Sequence, residues 1–328
     1  MSIHLEPFDG NDVLWDKFVN EESINGTFLQ SRRFLNYHPQ GRFNDSSYYI
    51  KDDNKLVGVI PACVKESDGI KELFSHSGSS YGGPVIRKDY YTAERLMEIV
   101  EGMDSFFSEN YDRVTLKITP DLFSEESSDL LEYVFGRNGF GKYIELSTYV
   151  DLVQCPDDCL TMLDRNKKRN IRKCEDLGLT FRTLESDEDI AGFYELLKIN
   201  LSKYDKKPIH SLEEILDFKK NRLTDIVKFY GVFNGDEQVA GGMLFSFERT
   251  HVLHAQNLSA DYRLTDYSPI TYLYYNVIVE AKKLGYKALS WGISTEDHGE
   301  YLNMGLIRNK ESYGSKHQLN RTFYKDYK

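Results

Sequence analysis

One apolar helical stripe in the second half of the chain constrains the fold more than any other feature. Apolar side chains recur at intervals of three and four residues from Ile270 to Leu284, which predicts an amphipathic helix with one buried face. Pro269 stands at its first turn, where a missing N–H costs nothing, and Gly285 follows the basic residues of its last turn. The sequence therefore predicts a helix with sharp boundaries at both ends.

Strand-like runs lie on both sides of this helix. They cover residues 226–233, 239–247 and 251–258 before it, and 287–293 and 321–325 after it. Asn234-Gly235-Asp236 predicts a hairpin between the first two runs, because Asn and Gly tolerate positive φ. The predicted order is hairpin, strand, helix, strand, loop, strand.

The first half of the chain repeats this order. Its strand-like runs cover residues 47–50, 56–64, 71–75, 113–119 and 143–152, and its helix carries Leu96, Ile99, Val100, Met103 and Phe107 on one face. The repeat is one of element order rather than of residue identity. We therefore predict an α/β protein with mixed sheets, built from two copies of one architecture.

The length of the chain agrees with two domains. A chain of 328 residues exceeds the usual size of a single domain. Pro156, within residues 154–158, marks a break before a basic helix. We predict domains at residues 1–153 and 154–328, with the active site in the second.

Composition excludes several classes of function. The net charge of −11 argues against a DNA-binding surface, and no apolar run is long enough to span a membrane. Residues 1–7 lack the pattern of a secretory signal, which predicts a cytoplasmic protein without disulfides. The spacing of the four cysteines predicts no metal site.

Short motifs in the second half add chemistry to this element order. They are His254-Ala255-Gln256-Asn257, Tyr267-Ser268-Pro269, Leu289-Ser290-Trp291-Gly292, Lys310-Glu311-Ser312-Tyr313-Gly314 and the basic run of residues 165–173. Together with the element order they resemble the FemAB-like branch of the GNAT acyltransferase superfamily. Trp291 and Ser290 stand where that family has phenylalanine and aspartate, and no coiled-coil arm interrupts the second half.

The resemblance implies two tandem GNAT-like domains that move an acyl or aminoacyl group onto an amine. The acceptor would be a small or nucleotide-linked amine, such as a cell-wall or polysaccharide precursor, and the donor an acyl-CoA or an aminoacyl-tRNA. One alternative is an acyl-CoA-dependent N-acetyltransferase acting on an amino sugar or nucleotide sugar. Another is a non-catalytic binding protein that kept the fold.

Three residues are predicted to act in catalysis. The motif match places Lys310 on a closing loop, where it would stabilise the donor or the oxyanion. The alternative for Lys310 is a solvated lysine before a turn. His254, on a strand facing the cleft, could be a general base, although a histidine there is as often a satisfied core residue. Glu296, in a solvated loop cluster, is a minor candidate as base.

Six further residues are predicted to bind substrate: Tyr81, Arg169, Arg172, Arg263, Trp291 and Tyr313. Tyr81 lies in a Gly-rich loop, which could equally be a plain turn. Arg169 and Arg172 share a helical face with other cations, which could contact phosphates or only water. Arg263 opens a stretch, residues 263–268, where a coenzyme A user would bind pyrophosphate. Asp266 and Pro269 weaken that prediction, because one repels an anion and the other lacks an N–H.

Overall fold

A computed structural model describes residues 3–39, 41–264 and 266–328. The chain folds into two compact units, and each has its own hydrophobic core. The first unit comprises residues 1–145 and 319–328, and the second comprises residues 146–318. This division differs from the predicted domains at two places, because the second unit begins at residue 146 and residues 319–328 return to the first unit.

The first unit contains two sheets and the helices that cover them. Its strands are β1 (Ile3–Pro7), β2 (Tyr48–Asp52), β3 (Lys55–Ile60), β4 (Ala62–Ser67), β5 (Ile70–Ser75), β6 (Val85–Ile86) and β7 (Arg113–Lys117). Its helices are α1 (Asp12–Lys17), α2 (Arg32–Leu35), α3 (Ala93–Asn110) and α4 (Asp129–Arg137). The run predicted at 56–64 is divided into β3 and β4 at Pro61, which has no N–H for a strand ladder.

The strand β8 (Gly141–Asp151) begins in the first unit and ends in the second. The later strands are β9 (Thr180–Thr183), β10 (Val227–Asn234), β11 (Glu237–Phe247), β12 (Val252–Ala260), β13 (Ala288–Ile293), β14 (Thr295–Glu296), β15 (Tyr301–Leu302) and β16 (Lys316–Asp326). The helices are α5 (Arg165–Asp176), α6 (Asp187–Ser202), α7 (Leu212–Asp217), α8 (Pro269–Lys283) and α9 (Met304–Glu311).

The second unit is built on a six-stranded sheet in the order β8-β13-β12-β11-β10-β9. Neighbouring strands are antiparallel except β12 and β13, which are parallel and joined through α8. The predicted helix is confirmed as α8. Its buried residues Leu273, Val277 and Ala281 pack in the core of this unit, as the apolar stripe requires.

In the first unit, β5 and β7 form the corresponding parallel pair, joined through α3. That sheet has the order β4-β5-β7-β16, and β16 pairs antiparallel with β7 from Thr322 to Asp326. The fold is thus an α/β arrangement of two tandem units with the same element order. Within the residues that the structure describes, no helix is long and apolar enough to cross a membrane.

Candidate functional site

The site lies where β12 and β13 separate. The two strands pair over three residues only, and the last pair is His254 with Ser290. Beyond that pair β12 stays on β11 as far as Ala260, while β13 stays on β8 as far as Ile293. Residues 254–258 of β12 are partly exposed although the strand is central in its sheet. The two strands therefore diverge beyond this pair, and we call the place where they part the β12–β13 fork.

A β-bulge changes the direction of each strand of the fork. The register of β13 against β8 shifts between Ser290 and Gly292, and that of β12 against β11 shifts opposite Met243 and Leu244. A bulge inserts an extra residue, bends the strand and increases its twist. These shifts explain how the two strands diverge directly after a regular parallel pairing.

Lys310 holds the end of β13. It lies in the last turn of α9, whose first turn is capped by Asn303, and not in the predicted loop. Its Nζ donates hydrogen bonds to the carbonyl oxygens of Gly292, at 3.0 Å, and Ile293, at 2.6 Å. The side chain is 3% exposed, and burial lowers its pKa to about 8. The ammonium group therefore remains mostly charged at neutral pH.

Gly292 turns the backbone toward Lys310. Its φ of 71° lies in the left-handed region, which glycine adopts at little cost. A Cβ at this position would lie 3.4 Å from Cε1 of His254, an ordinary van der Waals contact, so the φ angle and not crowding explains this glycine. Its N–H donates to Oγ of Ser290 at 3.2 Å. Gly292 is thus fixed through both its N–H and its carbonyl group.

His254 is a neutral histidine at the fork. Its Nδ1 lies 3.1 Å from Oγ of Ser290, the residue that pairs with it across the two strands. Burial, together with the positive charge of Lys310, lowers the pKa of His254 to about 4. The imidazole is therefore uncharged at pH 7. In this state it can either accept a proton or donate a hydrogen bond as a neutral ring.

Trp291 and Tyr313, both predicted to bind substrate, lie in an aromatic cluster with Tyr274. The ring of Tyr274 is 4.6 Å from that of Trp291 and 4.8 Å from that of Tyr313. Trp291 is 5% exposed and Tyr313 1% exposed, so both rings belong to the hydrophobic core of the second unit. Burial raises the pKa of the Tyr313 hydroxyl. A role for either residue in substrate binding remains a prediction.

Ser315 connects this cluster to Lys310. Its Oγ accepts a hydrogen bond from Nε1 of Trp291 at 3.1 Å and donates one to the carbonyl oxygen of Lys310 at 2.8 Å. The sequence prediction did not include Ser315, Ser290 or Gly292 as site residues. Ser290 and Gly292 lay within a quoted motif, but their partners depend on strand register, which the motif does not contain.

Glu296 and Arg263 lie on exposed segments of the second unit. Glu296, in the short strand β14, accepts a hydrogen bond from Nδ2 of Asn303 at 3.2 Å. The guanidinium group of Arg263 forms a two-point ion pair with Asp261, at 2.9 and 2.6 Å. Asp266 is exposed, and Thr265 lies outside the described residues. In this conformation Arg263 is therefore paired with a carboxylate, at the stretch where a coenzyme A user would bind pyrophosphate.

The helix α5 carries the predicted basic row. Arg169 and Arg172 are exposed and line a shallow depression with Arg165, Lys168 and Lys173. Lys167 points the other way, and its Nζ donates to Oδ1 of Asn309 at 2.7 Å and lies 4.5 Å from the ring of Tyr313. The row is thus attached through Lys167 to the segment that carries Lys310.

Tyr81 lies in the first unit, on a segment that follows β5. It is 6% exposed, packs 5.7 Å from Phe123, and burial raises its pKa. The next residue, Gly82, donates its N–H to the carbonyl oxygen of Lys117 at 2.9 Å. A Cβ at Gly82 would lie 2.4 Å from Oγ of Ser75, so close packing explains this glycine. Substrate binding by Tyr81 remains a prediction.

The described residues contain no cluster of side chains that could bind a metal ion. Across residues 3–39, 41–264 and 266–328, no three His, Cys, Asp or Glu side chains lie where they could share a metal ion. Cys155 and Cys159 are in thiol contact at 3.2 Å, and burial raises the pKa of Cys155 to about 12. These thiols therefore belong to the core of the second unit.

The sheet, the helix α8 and the fork together have the arrangement of the GNAT fold. Residues 163–300 match the sequence family described as the acetyltransferase (GNAT) domain. No curated protein matches the chain significantly. The structure confirms the resemblance to the FemAB-like branch at the level of fold, because FemX superposes with a TM-score of 0.68 at 13% identity, over 97% of this chain and 96% of that one.

Two further solved structures share this fold over nearly the whole chain. One is the C-terminal domain of a putative lysylphosphatidylglycerol synthetase from Agrobacterium fabrum, with a TM-score of 0.62 and 12% identity, covering 97% of this chain and 92% of that one. The other is a tandem GNAT protein from the clavulanic acid biosynthesis pathway, with a TM-score of 0.56 and 8% identity, covering 100% and 99%. The predicted arrangement of two tandem GNAT-like domains is confirmed.

Proposed function

We propose that this chain transfers an activated acyl or aminoacyl group onto an amine of a small or nucleotide-linked molecule, with the reaction at the β12–β13 fork. The observation that carries the proposal is the fork itself. Its strands part after three residue pairs, and a buried ammonium group and a neutral imidazole stand where they part. A cell-wall or polysaccharide precursor with a free amine is the acceptor class that we favour.

The reaction requires an amine nitrogen to attack a carbonyl carbon. Negative charge then develops on the carbonyl oxygen, and the departing oxygen or sulfur takes a proton as the C–N bond forms. A fixed positive charge in a water-poor site stabilises such an oxyanion more strongly than water does. Lys310 supplies that charge in the proposal, since its ammonium group is buried and held by two carbonyl oxygens. No covalent enzyme intermediate is needed.

The donor in this proposal is not coenzyme A-linked. A pyrophosphate at the start of α8 would meet the exposed carboxylate of Asp266 and lose one N–H at Pro269. Arg263 would first have to leave Asp261. An aminoacyl-tRNA agrees better with the exposed cations of α5, Arg169 and Arg172 among them, because phosphates bind clustered Lys and Arg.

The test compares donors and a matched pair of lysine variants. The purified protein is incubated with acetyl-CoA or with aminoacyl-tRNA, together with amino sugars and their nucleotide-linked forms, and products are identified by mass spectrometry. We expect transfer from aminoacyl-tRNA, loss of transfer in Lys310→Met, and retention in Lys316→Met. Lys316 is exposed and pairs with Asp151, so it controls for the loss of a lysine.

The outcomes separate the alternatives. Transfer from acetyl-CoA, with thermal stabilisation by acetyl-CoA alone, would establish the coenzyme A-dependent alternative. Full activity of Lys310→Met would remove Lys310 from the mechanism. A wild-type protein that transfers from neither donor would contradict the proposed function and support a binding protein.

A further inference from the structure

The hydroxyl group of Ser290 has a restricted set of partners. Ser290 is 3% exposed, and within the described part of the chain its Oγ has two partners, the N–H of Gly292 and Nδ1 of His254. A backbone N–H only donates, so Oγ accepts from Gly292. A buried hydroxyl proton without an acceptor costs about 1–3 kcal/mol. The proton of Ser290 is therefore directed at His254.

This hydrogen bond determines the tautomer of His254. If Nδ1 accepts from the hydroxyl of Ser290, it carries a lone pair, and the hydrogen of the neutral ring is on Nε2. The alternative, a hydrogen on Nδ1, would make Oγ accept twice and leave its own proton without an acceptor. The lowered pKa of His254 agrees with a ring that stays neutral at pH 7.

We propose that Ser290 is a positioning residue that fixes His254 with its hydrogen on Nε2, so that His254 donates a hydrogen bond to the carbonyl oxygen of the transferred acyl group. The sequence analysis had named His254 as a candidate general base, and this proposal assigns it a different role. The tautomer is inferred from the hydrogen bonds of Ser290, whereas the donor role rests on the proposed function. His254 and Lys310 act on the same oxygen in this scheme.

The step balances without proton transfer to His254. The amine nitrogen forms the C–N bond, and the bond from the acyl carbon to the departing oxygen or sulfur breaks. The proton released by the amine ends on that departing atom. His254 keeps its hydrogen throughout and stabilises the negative charge that forms on the carbonyl oxygen.

Nitrogen NMR of the protein labelled with 15N-histidine tests the tautomer without any substrate. The chain has eight histidines, and the signals of His254 are assigned by their loss in His254→Gln. We expect an unprotonated Nδ1 and a protonated Nε2 at pH 7, and a shift toward the other tautomer in Ser290→Ala. Ser259→Ala is the control, because Ser259, on the neighbouring strand β12, is also buried but bonds to Asn200.

A wild-type spectrum with hydrogen on Nδ1 would overturn the proposal, and this result does not depend on any variant folding. An unchanged tautomer in folded Ser290→Ala would remove Ser290 from the role. Both results concern the ring alone, so they are independent of whether the chain is a transferase.

Two substitutions of His254 test the donor role in the transfer assay. The glutamine side chain keeps an N–H donor but is no base, whereas alanine keeps neither. We expect His254→Ala to lower kcat about a hundredfold or more, and His254→Gln to retain at least about tenfold more activity than alanine. Equal loss in both variants would overturn the donor role. Absence of transfer by the wild type would contradict the proposed function and leave the tautomer result standing.

Discussion

The two parallel strand pairs of this chain begin alike and end differently. In each unit the parallel strands are joined through a helix and pair over three residues. In the first unit the gap beyond β5 and β7 is filled by the chain itself. Gly82 donates to the carbonyl oxygen of Lys117, and Oγ of Ser75 accepts from the N–H of Lys117 at 2.6 Å.

The corresponding position of the second unit holds ionisable side chains. His254 and Lys310 stand there, and residues 254–258 of β12 remain partly exposed. The difference teaches that element order alone does not determine which groups occupy the space where the strands separate. In the first unit that space is filled by backbone, and in the second it is lined by His254 and Lys310, the groups to which we assign the proposed chemistry.

The largest effect is expected from Gly82→Ala. Its Cβ would lie 2.4 Å from Oγ and 2.9 Å from Cα of Ser75, so the filled gap of the first unit would have to expand. We expect a loss of about 3 kcal/mol in the free energy of unfolding, measured by urea denaturation. Gly136→Ala, in α4, is the control, because a Cβ there meets nothing within 4 Å. A loss below about 1 kcal/mol for Gly82→Ala would show that the gap is not tightly filled.

A smaller effect is expected from the ionisation of Lys310. Its folded pKa of about 8 lies below its ordinary value of 10.5, so between these values the unfolded chain binds more protons than the folded one. Stability must then rise with pH in this window, by about 2 kcal/mol from about pH 7 to about pH 9.5. The difference in unfolding free energy between wild type and Lys310→Met, followed across this range, measures the rise. A flat difference would mean that Lys310 is not a desolvated cation.

The smallest effect on stability is expected from Arg169→Ala with Arg172→Ala. Both side chains are exposed on α5, so the free energy of unfolding should change by less than about 0.5 kcal/mol. Binding to a short single-stranded RNA at low salt, measured by fluorescence anisotropy, should weaken, with a shallower salt dependence. Arg182→Ala is the control, because Arg182 is paired with Asp189. If the double variant and Arg182→Ala bind the RNA equally well, α5 has no role in substrate recognition.

Local patterns predicted the elements well and their ends less well. The apolar stripe of α8, the Asn234-Gly235-Asp236 hairpin and the basic helix α5 depend on neighbouring residues, and the structure contains all three. Lys310 was predicted on a closing loop from the motif match, whereas Asn303 caps a helix that extends to Glu311. The predicted strand at 56–64 ignored the effect of Pro61 on a ladder.

The candidate site was predictable only in part, because its contacts depend on register. His254 and Lys310 were chosen from motifs, and both stand at the fork. The hydrogen bond between His254 and Ser290 exists because these residues are opposite each other on strands that lie far apart in sequence. No local pattern contains that pairing. For the same reason the burial of Tyr313 against Tyr274 could not be read from its motif.

The position of β16 has a consequence for biosynthesis. Phe323 is in the core of the first unit, and Arg321 forms ion pairs there with Asp121 and Glu132. The ribosome must therefore translate all of residues 146–318 before β16 can pair with β7 and complete the sheet of the first unit. Domains usually fold in the order in which they emerge. Here the nascent N-terminal half keeps the edge of β7 unpaired while the whole second unit is being made.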